Sequence, residues 1–598
     1  MSKRSHHSLL LAGLFVLALT LLIGCTAQPN NQASYVERSL KLISTVDNAP
    51  SELTVRFYNE TPNVPYFGLA QYKELVLGDT CTVESDGKTI TLTATDGGSI
   101  TVDDAQDTIS SNDLAAFRTY LAPQQQAGKS NGMLDLGSRF VRVGSIESKG
   151  PAHATTLDYG AYHIDLHVDD KDAYLPLACE SDLLAVASCA ALFYNGTNLY
   201  LTDRYTPDIE ALDPNYYQQL QSNHERPQDM VDFTYNNLCF LMDKLAGNTK
   251  SDALGTLVAE VGFNKALDHD EATRKTRELL KSTDFYEFIA GTEYLYALTA
   301  NGHTTLADAA LMQNQAYLES ESVKDGSIFN DLTKTDLVSS FAQRAGYGDD
   351  GSIIEQRQKV LGENPPTYRE QGDTAVIILD SFMNYDADAW NEHYNSGAEI
   401  PTGDLVGTLI AGLKRAKQNP QIKYVILDIS LNGGGYNELL ATAEALVLNK
   451  PQLKLYDQLN QQNCMVNYEV DSLFDGSFAA STLTRDMDVT FAVLTSRNTF
   501  SCGNAFTEHC RDEGIPILGE PSLGGEYLVV PCFFPEGPVA QISAGTMKMV
   551  DASGSGNEEG VPVDVALDYA DYYDMDRLSE VMRGLQNISP KEDVRDAA

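Results

Sequence analysis

Tyr424-Val425-Ile426-Leu427-Asp428-Ile429-Ser430-Leu431-Asn432-Gly433-Gly434-Gly435 is the stretch on which the fold of the C-terminal region turns. An apolar run closed by a glycine cluster reads as a buried strand, a tight turn and then a helix. Glycines in such a turn permit positive φ and close backbone approach, so their amides can face a developing negative charge. The turn alone names no chemistry. Glycine-rich strand-to-helix turns also bind phosphate or merely turn, and no GxxxxGK[ST] is present to support a P-loop.

Two later segments repeat the theme. Phe491-Ala492-Val493-Leu494-Thr495-Ser496 reads as another apolar strand, and Arg497-Asn498-Thr499-Phe500-Ser501-Cys502-Gly503-Asn504 as a polar turn entering a helix. Ser501 then stands at the helix N-terminus, where unpaired amides and the dipole stabilise an alkoxide or oxyanion. Taken alone, the segment reads as a plain N-cap serine, worth about 1 kcal/mol. Glu558-Glu559-Gly560-Val561-Pro562-Val563-Asp564 follows a Gly/Ser-rich loop and closes the region. From Asp373 to about Ala570 strands alternate with helices, which predicts a crossover α/β domain over 373–570.

Upstream the pattern differs. Alternating β-branched residues at 53–58, 80–83, 89–93 and 100–102, broken by Asp86-Gly87 and Asp96-Gly97-Gly98, predict hairpins in a β-rich module over 41–209, with a helix near Leu69–Leu77. Apolar spacings of three and four, as in Leu238, Leu241, Met242 and Leu245, predict a helical module over 210–345. Residues 26–40 read as a polar tether and 571–598 as a fraying C-terminal tail.

The chain has 598 residues, 84 acidic and 42 basic, for a net charge of −42. That balance repels phosphate backbones, and no basic stripe offsets it, so nucleic acid is excluded as an expected partner. With 43% apolar residues the chain has the material for a sizeable core. Lys3 and Arg4 precede an apolar run from Leu9 to Ile23, the pattern of an export signal over 1–25. Leu22-Ile23-Gly24-Cys25 resembles a bacterial lipobox, which implies cleavage, lipidation of Cys25 and attachment to a membrane face of the bacterial cell envelope; an ordinary secretory signal is the alternative, and both predict export. Eight further cysteines without a CxxC pair predict few or no essential disulfides.

Together the three C-terminal segments resemble the tail-specific (C-terminal-processing) serine peptidase family, which includes the tricorn core and nisin-resistance proteins. Asp428 to Gly435 is similar to that family's DLRxNxGG turn, Thr499 to Asn504 to its TxSxxE turn, Gly524-Gly525 falls at its TxGKG segment, and Gly560 to Asp564 is similar to GVxPD. The resemblance implies a crotonase-like spiral of ββα units, Ser501 as nucleophile, and oxyanion donors at the amides of Gly434 and Cys502. Three departures stand beside it. The family lysine position is Gly525, the first lysine after Ser501 is Lys548, and Asn504 replaces the family glutamate. A serine–lysine dyad is therefore not expected. Asn504 and Glu558 are candidate supporting residues, with Glu558 or Glu559 orienting the base or meeting a substrate amine.

A serine hydroxyl needs a base near neutral pH. Asn301-Gly302-His303-Thr304 resembles the DGHT segment of the nisin-resistance type, which implies His303, far upstream in sequence, as Ser501's partner; histidine's ordinary pKa of about 6.5 suits the role. His509 competes, but eight helical positions correspond to about 12 Å of rise, beyond reach of Ser501. His393 is a minor candidate. His163, Asp165 and His167 read as one face of a strand, a geometry that holds a metal or simply faces water; no further ligand is evident and no metal or cofactor is expected. The expected function is an exported serine endopeptidase acting on peptide or protein substrates. The alternatives are a catalytically inactive relative that binds peptides, and an envelope scaffold. The chain between His303 and Asp373 is too short for an inserted PDZ domain.

Overall fold

The computed structural model describes residues 34–585 except 47, 96, 115, 118–137, 189, 203–211, 217–224, 248–252, 300, 307–318, 320–334, 336, 338–352, 479–483 and 485–486. The apolar run, the lipobox with Cys25, and Cys189 lie outside the described residues. The other seven cysteines are buried and unbridged. Among the described residues no helix is long and apolar enough to cross a membrane.

In the N-terminal part a seven-stranded sheet has the order His167–Val168, Ala173–Pro176, Tyr66–Gly68, Glu52–Tyr58, Tyr35–Ser44, Leu199–Thr202, Ala191–Tyr194. The polar tether expected over 26–40 therefore stops short: Tyr35–Ser44 is a strand, zipped antiparallel to Glu52–Tyr58 from Tyr35↔Tyr58 to Lys41↔Glu52. Its exposed polar residues give it the composition of a tether, but backbone pairing holds a strand whatever its outer face carries. A second, five-stranded meander joins Cys81–Ser85, Thr89–Ala94, Ser99–Asp103, Thr108–Ser111 and Thr155–Asp158. In it Ile90, Leu92 and Ala94 face the core and the threonines between them face out, the period of two that fixes strand register.

Helices Gln228–Phe240, Ala253–Val261, Glu271–Leu280 and Phe285–Thr299 follow. Asp270 and Thr273 form a reciprocal capping box at the start of the third. Phe285–Thr299 is buried along most of its length, with Phe288, Ile289, Leu295 and Leu298 at 0% exposure, and its C-terminal end delivers the Asn301–Thr304 turn.

The C-terminal part holds a six-stranded sheet in the order Tyr368–Gln371, Thr374–Ile378, Tyr424–Asp428, Thr490–Thr495, Ile517–Gly519, Val565–Ala566, parallel except for the first pair. Tyr424–Asp428 is buried throughout, as a central parallel strand covered on both faces requires. Helices Leu405–Gln418, Asn437–Val447 and Cys502–Asp512 bury one set of apolar residues against it, and Ile353–Leu361 and Met575–Leu585 the other. The stretch expected as a fraying tail thus packs from Tyr572 to Met582, with Tyr572, Leu578 and Met582 at 0% exposure. Charge on its outer face hid an apolar stripe at helical spacing.

A last sheet crosses the expected boundaries. Thr305–Leu306 pairs with Val539–Met549, which pairs with Gln452–Asp457, then Gln462–Val470, then Val141–Lys149; Tyr527–Phe533 forms a hairpin with Val539–Met549. Both ends of this sheet come from segments that precede the six-stranded parallel sheet in sequence, and Cys532, Phe533, Phe534, Ala540 and Ile542 of the hairpin sit in the core built by the N-terminal sheets and helices. The modules are joined by shared hydrogen bonds and a shared core.

Candidate active site

The glycine turn and the serine turn meet at the carboxyl ends of the parallel strands. Asn432, at 0% exposure, organises the first: its Nδ2 donates to Leu379 O at 2.9 Å, its Oδ1 accepts from Gly434 N at 2.9 Å, and its carbonyl accepts from Phe500 N at 3.0 Å. Phe382 N donates to Gly434 O, also at 2.9 Å. Gly434 has φ +98°, and a Cβ there would lie 2.6 Å from Ser501 Cβ and 2.9 Å from Cys502 N. Only glycine lets the two turns approach this closely.

Ser501 occupies the N-cap position of Cys502–Asp512, yet its side chain makes no capping hydrogen bond. Its backbone sits at φ 54°, ψ −121°, a region that costs a non-glycine residue about 1–3 kcal/mol and persists only where the surroundings enforce it. Ser501 N donates to Gly524 O at 2.9 Å and Ala505 N to Ser501 O at 2.9 Å, so both sides of the strained residue are held. Gly503 N–H is taken by Phe500 O at 2.9 Å, whereas Cys502 N–H lies in the first turn, where helices leave amides without an intrahelical acceptor. The Gly434 N–H, expected to receive an oxyanion, instead donates to Asn432 Oδ1; an asparagine two residues before an amide closes this local turn readily. Cys502 is buried, burial pushes its thiol up to about 12, and the protonated sulfur donates to Gly435 O at 3.0 Å. The thiol is thus a tie between the two turns rather than a nucleophile.

His303 reaches this place through strand pairing. Thr305 and Leu306 pair with Gln541 and Ala540, Gln541 Nε2 donates to His303 O at 2.9 Å, and Ser543 N donates to Thr304 Oγ1 at 3.1 Å. Asn301 Oδ1 accepts from His303 N at 3.0 Å and Thr304 N at 2.9 Å, closing the turn from the other side. The imidazole is 6% exposed, with its centroid 4.6 Å from that of Phe500, the residue before Ser501. Burial lowers its pKa to about 4, so the ring is neutral at neutral pH.

Residues 374–567 match the family model of Peptidase family S41. This segment is a peptidase family S41 domain. No protein of curated function matches the chain. Solved structures similar to it include a photosystem II D1 C-terminal processing protease (17% identity, TM-score 0.25, 35% of this chain and 46% of that one) and a candidate peptidase from Parabacteroides merdae (16%, 0.36, 60% and 98%). A lipoprotein from Streptococcus agalactiae is a third (14%, 0.26, 50% and 96%). The chain spans less than half the length of the processing protease.

Within the S41 domain the departures from the family motifs have structural counterparts. At Gly525, φ +85°, a Cβ would lie 2.5 Å from the Phe500 ring, so the ring fills the direction a lysine would take. Lys548 pairs with the buried Glu526 at 3.2 Å. Asn504 is buried; its Oδ1 accepts from Ser522 Oγ at 2.7 Å and its Nδ2 donates to Asn557 O at 3.4 Å, which ties the serine helix to neighbouring loops. Glu558 Oε2 accepts from Glu526 N at 2.8 Å, while Glu559 is exposed.

The competing histidines are engaged elsewhere. His509 Nδ1 faces the buried Glu444 across helices Asn437–Val447 and Cys502–Asp512, and the carboxylate's charge and hydrogen bond outweigh burial to raise the imidazole's pKa. Both ring nitrogens of His393 face backbone carbonyls, Ala398 O and Phe474 O. The strand face expected for His163, Asp165 and His167 does not exist. His163 is left-handed at the end of a 3-10 turn, and only His167 enters a strand, stacked 3.6 Å from the Tyr58 ring. Among the described residues no group of three or more His, Cys, Asp or Glu is placed to hold a metal. Asn301, Asn432 and Phe500 also hold the candidate site together, and an asparagine two residues before a turn amide is the sequence signal for the first two.

Proposed function

We propose that the protein is a serine endopeptidase of the tail-specific type, exported and held at the bacterial envelope by a lipid on Cys25, with peptide or protein substrates. The observation that carries the catalytic reading is Ser501: strained, uncapped, packed on Gly434, and preceded by a residue that touches a buried neutral imidazole. In this reading His303 accepts the Ser501 Oγ proton as the oxygen attacks the substrate carbonyl carbon, and the carbonyl electron pair moves to its oxygen, which Cys502 N–H receives. Collapse of the adduct breaks the C–N bond, and the imidazolium returns the proton to the departing amine. Water, deprotonated by the same imidazole, then attacks the acyl carbon; the bond to Ser501 Oγ breaks and the imidazolium returns the proton to that oxygen. The electrostatic part of the proposal is a helix N-terminus aimed at the oxyanion. The crotonase-like spiral belongs to the same proposal.

The test is fluorophosphonate labelling together with casein hydrolysis. Ser501→Ala abolishes both; His303→Ala slows both by about 10²–10⁴-fold, the usual weight of a general base; His509→Gln keeps both. A folded wild-type protein that neither labels nor cleaves would be a non-catalytic peptide binder. Release of the protein from membranes by removal of Cys25 tests the anchor.

A further inference from the structure

His303 poses a problem of orientation. A general base in a serine hydrolase is ordinarily aimed by a third polar group, yet the His303 ring makes no hydrogen bond to a described residue: the bonds of the Asn301–Thr304 turn engage its backbone N–H and carbonyl. What the ring does touch is Phe500, with centroids 4.6 Å apart and planes tilted by 48°, within the range of attractive aromatic contact. Phe500 is itself tightly placed. Its amide is bound to Asn432 O, it bridges to Gly524, and its chain continues directly into the strained Ser501. Its ring lies over Gly525, where a Cβ would meet Cε2 at 2.5 Å, Cζ at 2.6 Å and Cδ2 at 2.9 Å. The ring at 500 can therefore lie where it does only because residue 525 is glycine.

We propose that Phe500 is the positioning residue for the base: its ring, seated in the space left by glycine at 525, is the platform that holds the His303 imidazole beside the serine turn. The inference rests on the reading of His303 as base and adds how it is aimed. The position that bears the lysine in the family motif is closed to any side chain here, and the space it would cross is filled by the ring that carries the replacement. The platform also excludes water. Burial is the cause of the lowered His303 pKa, with no charged side chain among the described residues contributing to it.

The experiment compares Phe500→Ala, Phe500→Leu, Phe500→Tyr and Gly525→Ala in the full chain. Its readouts are the rate of fluorophosphonate acylation at Ser501, kcat and KM on a peptide substrate, and the acid limb of the kcat/KM profile. Phe500→Ala lowers the acylation rate and kcat by about 10–100-fold, the scale of a small misplacement of a catalytic group, with KM within about two-fold. Its acid limb moves up from near pH 4 toward about 6 as the imidazole regains water. A merely structural role would not move that limb. Phe500→Tyr recovers the wild-type limb, Phe500→Leu lies between, and Gly525→Ala, which displaces the ring without touching Ser501 or His303, reproduces the shift even if Phe500→Ala fails to fold. Wild-type rates and limb in Phe500→Ala or in Gly525→Ala overturn the platform alone. A wild type that is not acylated at Ser501, or is acylated as fast as His303→Ala, overturns the peptidase reading itself.

Discussion

Arg226 and Glu536 form an ion pair in which each side chain is 2% exposed, and it locks the helical part of the chain to the tip of the S41-domain hairpin. Arg226 Nε donates to Glu536 Oε1 at 2.9 Å, Arg226 Nη1 donates to Ser282 O at 2.7 Å, Thr234 Oγ1 donates to the same carboxylate at 3.0 Å, and the guanidinium lies 3.9 Å from the Phe288 ring centroid. Removing one member of a buried pair strands the other. Arg226→Ala is expected to lower stability by about 3–5 kcal/mol. The double replacement Arg226→Met with Glu536→Leu is expected to cost much less, since no charge is left unpaired. Urea denaturation of both variants checks this.

The same junction carries a pH dependence. Asp182 Oδ1 accepts from Phe533 N at 3.0 Å, and burial raises this carboxyl from 3.8 to about 7, against the lowering effect of that bond and of Asn237. A raised carboxyl binds its proton more tightly in the folded state, so its contribution is fullest below pH 3.8 and is lost as pH rises through 7, with a limiting slope of about 1.4 kcal/mol per pH unit. Asp172, raised to about 6 mainly by burial, acts in the same direction. His303, lowered to about 4, acts oppositely up to its ordinary value. The difference in stability between wild type and Asp182→Asn isolates the first effect: the wild type loses ground to the variant as pH rises from about 4 to 7, measured by denaturation midpoints.

Cys502 is expected to be inert as a nucleophile. Its thiol is buried, protonated and bonded to Gly435 O. Iodoacetamide at neutral pH leaves it unmodified in the folded protein and alkylates it after denaturation, which mass spectrometry of the peptide containing residues 502–510 reports. Cys502→Ser, which keeps a donor, retains acylation at Ser501 better than Cys502→Ala.

A fragment of residues 353–585 is expected neither to fold stably nor to label with fluorophosphonate. It lacks the strands Val141–Lys149 and Thr305–Leu306, exposes Cys532, Phe533, Phe534 and Ile542, and has lost His303. Exposed apolar surface of this kind leads to aggregation. Light scattering of the purified fragment, set against the full chain, checks it.

Much of the local architecture of the candidate site was legible because neighbouring residues set it. An apolar run followed by Gly433-Gly434-Gly435 forms a buried strand and a turn, and Ser501 stands at a helix start, because neighbouring residues dictate both. Illegible were the features that depend on distant segments. Tyr35–Ser44 looked like a tether until its pairing partner was in view, and residues 572–585 like a tail until the sheet beneath them was. The Gly434 amide looked free until the Asn432 side chain turned back on it.

What the amino-acid order settled unaided was which residues carry reactive groups and what turns they sit in, since steric limits on φ and ψ and the placement of apolar side chains act over a few residues. The company those groups keep came from the folded chain. His303 lies against Phe500 through the pairing of Thr305 with Gln541, and Phe500 lies over Gly525 through the bridge from Phe500 to Gly524. Hydrogen bonds between segments far apart in sequence, and the burial that drives an imidazole toward neutrality, exist only once the core has closed around them.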